Sequence, residues 1–336
     1  MHTKLNTLWK RGCELLGSQY AILGGAMTWV SEPGLVAAIS NAGGFGVLAC
    51  GSMPPEMLSQ EIKRTRSLTS KPFGVNLILL HPQIQELIDV CVQDKVSHVV
   101  LAGGFPQATS LETLKSAGIK VLAFAPSLIM AKKLIRMGVD GLIIEGMEAG
   151  GHIGPVSTTV LAQEILPHIQ DVPVFVAGGI GRGEAIVSYL EMGASGCQLG
   201  TRFVCAHECK AHPNFKKAFL RANARDAVAS VQIDERFPVI PVRGLANKGT
   251  EEFLRFQQEI IQRVDSQEIS LKEGQLEIEH YWAGALRRAV VEGDVEKGSL
   301  MAGQSVGMVS KEQPVSEIIQ ELLDQALTAL EKKNCA

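Results

Sequence analysis

A chain of 336 residues, 46% hydrophobic and 20% charged, has the size and composition of a globular protein with one large core, or one large core and an appendage. Its net charge of −3 comes without a long basic run, which argues against a nucleic-acid surface. No apolar segment reaches the ~18 residues of a membrane span, and seven cysteines without a Cys-x-x-Cys read as reduced, mostly buried thiols rather than a disulfide framework.

In chain order, MHTKLNTLWKRGCELLG is basic and mildly amphipathic and lacks the apolar centre of a secretory signal. It reads as a short helix packed on the domain, with an organelle-targeting segment as the alternative and the cytoplasm as the expected compartment. From Tyr20 to about Ala222, apolar runs alternate with helical patterns. The strand candidates are YAILGGAM, FGVLACG, FGVNLILL, HVVLAGG, KVLAFAP, GLIIEG, PVFVAGG and GCQLGT. Runs that are apolar throughout imply burial on both faces and a parallel sheet. Eight such units predict a closed (β/α)8 TIM barrel, with an open doubly wound sheet as the alternative. SNAGGFG, KSAGIK, RMGVD and EMGAS each put a glycine just past a helix, where a left-handed cap is wanted.

The cluster CAHECKAH, Cys205 to His212, falls in an expected helix, and its spacing matches no zinc module. No residue is assigned to a metal. The barrel is expected over 1–222 and a smaller, mainly helical extension over 223–336. In that extension RANARDAVASVQIDERFPVIPVRGLANKG reads as irregular, a charged helix runs from about Glu251 to Asp265, and an amphipathic helix ends the chain. The extension is expected to fold back and wall the active site.

In a (β/α)8 barrel the chemistry sits where the strands end. The first strand ends in Gly25, Ala26 and Met27, the third carries Asn76, and the sixth ends at Glu145. The last two end in Gly178-Gly179 and Gly200-Thr201, which suit a phosphate held by backbone N–H groups, with the Thr hydroxyl as a further donor. No G-x-G-x-x-G follows the first strand and no P-loop is present, so such a phosphate belongs to a barrel ligand rather than a Rossmann dinucleotide. After the sixth strand, EGMEAGGHIGP places His152 among glycines, where an imidazole can serve acid–base chemistry near neutral pH.

These segments carry a resemblance. GAMTWVSEPGLVAAISNAGGFGVLACG, KPFGVN, EGMEAGGHIG, VAGGIGRG, QLGTRFV and GDVEKGSLMAGQ together resemble the FMN-dependent family of nitronate monooxygenases and flavin enoyl-acyl-carrier-protein reductases. The likeness implies FMN across the strand ends. Gly178, Gly179, Gly200 and Thr201 would hold its phosphate, and Asn76, Gly25, Ala26 and Met27 its ring. Glu145, Gly150 and Gly151 join the cofactor contacts, with Gly150, Gly151 and Gly154 giving the flavin close backbone approach. His152 would be catalytic. Many relatives have Gly or Pro where this chain has Ala26. The leading expectation is NADH- or NADPH-dependent reduction of a 2-enoyl thioester, small or acyl-carrier-linked. Oxidation of alkyl nitronates with O2 is the alternative, and a non-catalytic FMN-binding protein the remote one. A homodimer fits the resemblance, and no ligands are placed for the monovalent cation that some related reductases carry.

Overall fold

The computed structural model describes residues 2–51, 53–237, 241–281 and 284–334, so Cys335 lies outside the described residues. Six strands come first: β1 (Ile22–Gly24), β2 (Phe45–Ala49), β3 (Gly74–Ile78), β4 (His98–Ala102), β5 (Lys120–Phe124) and β6 (Gly141–Glu145). The two-residue β7 (Gly151–His152) leaves the barrel, and β8 (Val174–Ala177) and β9 (Gly196–Leu199) complete it. All eight barrel strands are parallel, and β9 pairs back onto β1 through Gln198 opposite Leu23. The closed form of the two expected sheets is therefore the one adopted. Strands such as Phe45–Ala49 are buried at every position, which is why their sequences show no alternation. The four anticipated caps are real, with Gly43, Gly118, Gly138 and Gly193 at φ +91°, +76°, +94° and +107°.

The strands' N-terminal ends are plugged by the first two helices, His2–Leu8 and Lys10–Leu16. Gly12 sits so close to the barrel that a Cβ there would fall 2.0 Å from the Ser195 carbonyl oxygen. Inside the barrel floor, His98 packs edge-on against Phe45 at 4.8 Å, and its Nε2 lies 2.8 Å from the Leu15 carbonyl. A carbonyl can only accept, so Nε2 carries the proton. Trp9 and Leu16 complete the plug, 1% and 0% exposed.

Three features depart from the sequence reading. The stretch taken as irregular after Ala222 contains β10 (Ala227–Ala229) and β11 (Val242–Leu245), which with β7 form an antiparallel sheet in the order β10-β11-β7. The extension is mainly helical, as expected, and adds this small sheet at the His152 loop. Helices Lys248–Asp265 and Leu271–Tyr281 then make a hairpin over a separate small core of Phe237, Phe253, Ile260 and Ile278. Finally, CAHECKAH is not helical. Cys205 and Cys209 are buried thiols, the Glu208 carboxylate accepts from the Val315 N–H at 3.0 Å, and His212 Nδ1 accepts from the Asn214 N–H. The cluster thus seats the last helix, Val315–Asn334, and no metal-binding group occurs among the described residues. Nor is any helix among them long and apolar enough to cross a membrane.

Burial lowers the His98 pKa below its ordinary value, with the Leu15 carbonyl only partly opposing that shift. Below about pH 6.5 the unfolded chain therefore binds a proton that the folded chain resists. The stability contributed by neutral His98 is present above that pH and is lost as the pH falls. His98→Gln keeps a donor toward Leu15 without titrating. It is expected to flatten the decline in melting temperature between about pH 6.5 and 5, and an unchanged decline would place the acid sensitivity elsewhere.

Candidate active site

The register of β8 and β9 sets Ala177 opposite Gln198, so the segment after each strand lies beside the other. Gly178 and Gly179 follow with φ +97° and +71°, which only glycine adopts freely. Gly178 also lies tight against the loop after β6, since a Cβ there would stand 2.9 Å from the Gly146 carbonyl. Among the described residues the backbone N–H groups of Gly178, Gly179, Gly200 and Thr201 donate to no acceptor. Four unspent donors side by side, at the start of the short helix Thr201–Phe203, fit the phosphate of FMN. Thr201 is 8% exposed, and its Oγ1 accepts from the Gly303 N–H at 2.9 Å, leaving the hydroxyl proton to donate. Arg202 Nη2 bonds Glu321 on the last helix at 2.7 Å, while its buried Nε has no partner among the described residues.

The barrel mouth beside this cradle is lined by polar groups on strands. Asn76 is 5% exposed, and its Nδ2 donates to the Val100 carbonyl at 3.0 Å across the β3–β4 pair. At the end of β1 the Met27 N–H donates to Ser31 Oγ, whose hydroxyl donates to the Gly25 carbonyl, and the Gly25 N–H is taken by Leu199. The main chain of Ala26 is the part of this loop left for a ligand. Gln198, missed in the sequence reading, projects from β9 toward Gly25, whose hypothetical Cβ would meet its amide at 3.4 Å. Glu145 ends β6. Enclosure by the barrel pushes its carboxyl up to about 8, although part of the residue still reaches solvent. A carboxyl at the bottom of a concavity has both properties. At pH 7 it is neutral and can donate one hydrogen bond and accept another, as an amide does.

His152 is placed by backbone contacts. The Glu148 carboxylate accepts from the N–H and hydroxyl of Thr158 at 2.9 and 2.8 Å, tying the loop to the next helix. Gly150 meets the extension so closely that a Cβ would fall 2.5 Å from the Gly303 nitrogen, and Gly303 in turn abuts the Glu148 carbonyl. The side of Gly150 on which a Cβ would stand is thus filled by protein backbone. At Gly151 the φ of +81° itself calls for glycine, whereas the side-chain direction of Gly154 is open. Gly151 and His152 then pair with Arg243 and Val242 of β11. Arg243, 5% exposed, donates to the Met147 carbonyl at 2.8 Å and the Ala227 carbonyl at 2.6 Å, clamping loop to sheet. No pattern marked it in the sequence, because its partners are main-chain carbonyls. The His152 ring is reachable by solvent, yet surrounding protein lowers its pKa, so the ring is neutral at pH 7.

Two substitutions test this construction. Thr201→Val removes a donor from the cradle and leaves the buried Gly303 N–H unpaired, at about 1–3 kcal/mol. FMN dissociation is expected to weaken by roughly fivefold to a hundredfold in fluorescence titration; unaltered affinity would remove Thr201 from the cofactor's contacts. Arg243→Met strips two carbonyls of a charged donor and should lower turnover while FMN stays bound, measured by activity against flavin content. Full turnover would mean that the clamp does not position His152.

A family model described as nitronate monooxygenase matches residues 10–325. The structure of FabK from Thermotoga maritima superposes with a TM-score of 0.87 at 36% identity, covering 96% of this chain and 98% of that one. The (3aS,4S,5R,7aS)-5-hydroxy-7a-methyl-1-oxo-octahydro-1H-indene-4-carboxyl-CoA dehydrogenase of Rhodococcus jostii is 35% identical over 68% of this chain, a match that spans 65% of that protein's own length. A nitronate monooxygenase of Paraburkholderia phytofirmans is 30% identical over 70% of this chain and 76% of its own. With a family model matching residues 10–325 and relatives similar over most of its length, the chain belongs to the nitronate monooxygenase family of FMN-dependent oxidoreductases.

Proposed function

We propose that the protein reduces a 2-enoyl thioester, drawing its electrons from NADH or NADPH. FMN supplies the hydride chemistry when bound. The chain's own part is to hold, orient and polarise. Gly178, Gly179, Gly200 and Thr201 take the phosphate, and Ala26, Asn76 and neutral Glu145 border the ring and its side chain. His152, neutral at pH 7, offers an N–H to the thioester oxygen as hydride reaches the β-carbon. It thereby stabilises the negative charge that develops there, while the α-carbon takes a proton that derives from solvent.

The observation that carries this reading is the neutral, solvent-reachable imidazole on a sheet face without cations. A nitronate is an anion and would gain from a positive charge there. Arg243, the cation on that sheet, is turned to the opposite face and bonded to carbonyls. The full-length likeness to FabK, at 36% identity, and the thioester in the name of the Rhodococcus relative support the same direction. FabK names the flavin enoyl reductases that the sequence resembles.

Under anaerobic conditions NADH or NADPH should bleach the bound flavin's visible absorbance, and a 2-enoyl thioester should restore it. Bleaching by an alkyl nitronate and by neither nucleotide would replace this reading with nitronate oxidation. His152→Ala should keep FMN and lose about 10²- to 10⁴-fold in turnover. Wild-type turnover in that variant would exclude His152 from the chemistry.

A further inference from the structure

The strand register, followed round the barrel, sorts its side chains into two sets. Opposed residues of neighbouring strands share a face, and successive residues on a strand alternate between interior and exterior. Leu23 opposes Phe45 and Gln198, Ala49 opposes Asn76, Phe124 opposes Ile143, and Glu145 opposes Ala177, which in turn opposes Gln198. Phe45 packs on His98 in the barrel floor, so this whole set faces the axis. At the strands' C-terminal ends three of its members are polar: Asn76, Glu145 and Gln198. Ala49, Phe124 and Ala177 are apolar side chains of the same set at that end.

Each polar member has hydrogen-bonding capacity to spare. Among the described residues neither the Glu145 carboxyl nor the Gln198 amide makes a hydrogen bond, although Gln198 is 7% exposed, and Asn76 spends only its Nδ2, on Val100. Other titratable groups are distant or engaged. Within the inward set Lys120 and His98 begin β5 and β4, at the opposite end of the barrel. In the surrounding loops Cys50 donates to the Met53 carbonyl, and His81 accepts from the Gln83 N–H. Glu148 is bonded to Thr158, Arg243 donates to the Met147 carbonyl, and His152 stands on the small sheet. Burial is accordingly what raises the Glu145 carboxyl to about 8, with no neighbouring charge contributing.

Two amides already serve the mouth, and a third would make the same neutral hydrogen bonds as a protonated carboxyl. What Glu145 adds is a proton that can leave. Hydride transfer to the neutral oxidised flavin adds one negative charge to it, and no cation of the inward set lies at the mouth to meet that charge. Resting on the flavin's place at the mouth proposed above, and not on the choice of substrate, we propose that Glu145 is the proton site coupled to the flavin's redox state. Its carboxyl stays protonated beside the reduced flavin, and any carboxylate present beside the oxidised flavin takes one proton from solvent as the hydride arrives. The donor loses two electrons and a proton as hydride, the flavin gains them, and Glu145 gains the solvent proton. The charge of the site is then the same before and after. When the hydride passes on to the acceptor, the proton on Glu145 returns to solvent.

The test reduces the FMN-loaded protein at an electrode and reads midpoint potential and proton uptake against pH, in wild type and Glu145→Gln. Negative charge on the flavin should lift the carboxyl's pKa by more than about one unit, as coupled sites of like charge do. Wild-type uptake per flavin should therefore rise by about half a proton or more between about pH 7 and 8.5. One added proton shifts the reduction equilibrium by tenfold per pH unit, about 30 mV for a two-electron couple, and sets the limit of the extra slope. Glu145→Gln, of the same shape and always neutral, should lose both the extra uptake and the extra slope. A wild-type uptake that does not rise over this range would overturn the coupling, even if the variant failed to hold flavin. Extra uptake in both proteins would assign the proton to another group and overturn it equally. No extra slope in either, with potentials that differ between them at every pH, would keep the ring beside Glu145 and remove its titration. Identical potentials at every pH would place the flavin away from Glu145 and overturn the coupling together with that placement.

Discussion

The reactive face depends on three stretches of backbone meeting with almost nothing between them. Residues 148–152, 241–245 and 300–304 come together from the barrel's sixth loop and two separate parts of the extension. Gly150 and Gly303 lie at their crossing, where a Cβ on either would collide with main-chain atoms. The Gln304 N–H reaches the Glu148 carbonyl, the Ala302 N–H reaches Arg243, and Gly303 hands its N–H to Thr201. His152 is therefore positioned by main-chain hydrogen bonds and Arg243. Main-chain contacts constrain better than flexible side chains would, because each donor and acceptor is already fixed by its neighbours. They also make the extension part of the active site: without β11 the histidine would sit on a glycine-rich loop with little to order it.

The electrostatics of the site follow one pattern. Burial pushes Glu145 at the end of β6 up to about 8 and lowers His152 on the small sheet, so near neutral pH both groups are uncharged. The positive potential for an anionic phosphate comes from N–H dipoles at the ends of β8 and β9. Arg202, adjacent in sequence to Thr201, bonds Glu321 through Nη2. Dipoles fixed by a barrel need no reorganisation when a ligand arrives or charge develops. A charged lysine or arginine in the mouth would carry a desolvation penalty and compete for the phosphate with any anionic substrate.

The barrel was legible in the sequence because burial on both faces leaves continuous apolar runs, and because helix ends demand glycine at predictable places. Gly43, Gly118, Gly138 and Gly193 are such places. The strand-end candidates were legible for the same reason, since once the strands are known their ends are known. What escaped notice has physical causes. The strands β10 and β11 are three and four residues long, separated by a stretch rich in charge and proline, and each buries one face only. Their identity comes from pairing with β7, a contact about 90 residues distant that no local period encodes. CAHECKAH was expected in a helix, yet its backbone is drawn off by Gln313 and the last helix. At Gly150 the side on which a Cβ would stand meets the Gly303 main chain, a neighbour the sequence could not name because a glycine records that something comes near and not what.

The last helix extends this logic to the far side of the cradle. Gly183, which opens the helix after β8, has the Leu322 carbonyl 2.0 Å from where a Cβ would stand, and its N–H donates to Gln325 Oε1 at 2.8 Å. Gln325 also holds Glu321 at 3.2 Å, and Glu321 holds Arg202, so one helix face braces the segments after both β8 and β9. Glu208, from the cluster that seats this helix, caps its first turn. The phosphate cradle is thus a gap between two strand ends whose width is set from behind by residues about 120 positions later in the chain. A ligand that fits this gap stabilises the brace as much as the brace preorganises the ligand's site, because binding to the folded state alone shifts folding and affinity together. On the proposed reading, in which this gap takes the FMN phosphate, cofactor retention and the seating of the C-terminal helix are one equilibrium rather than two.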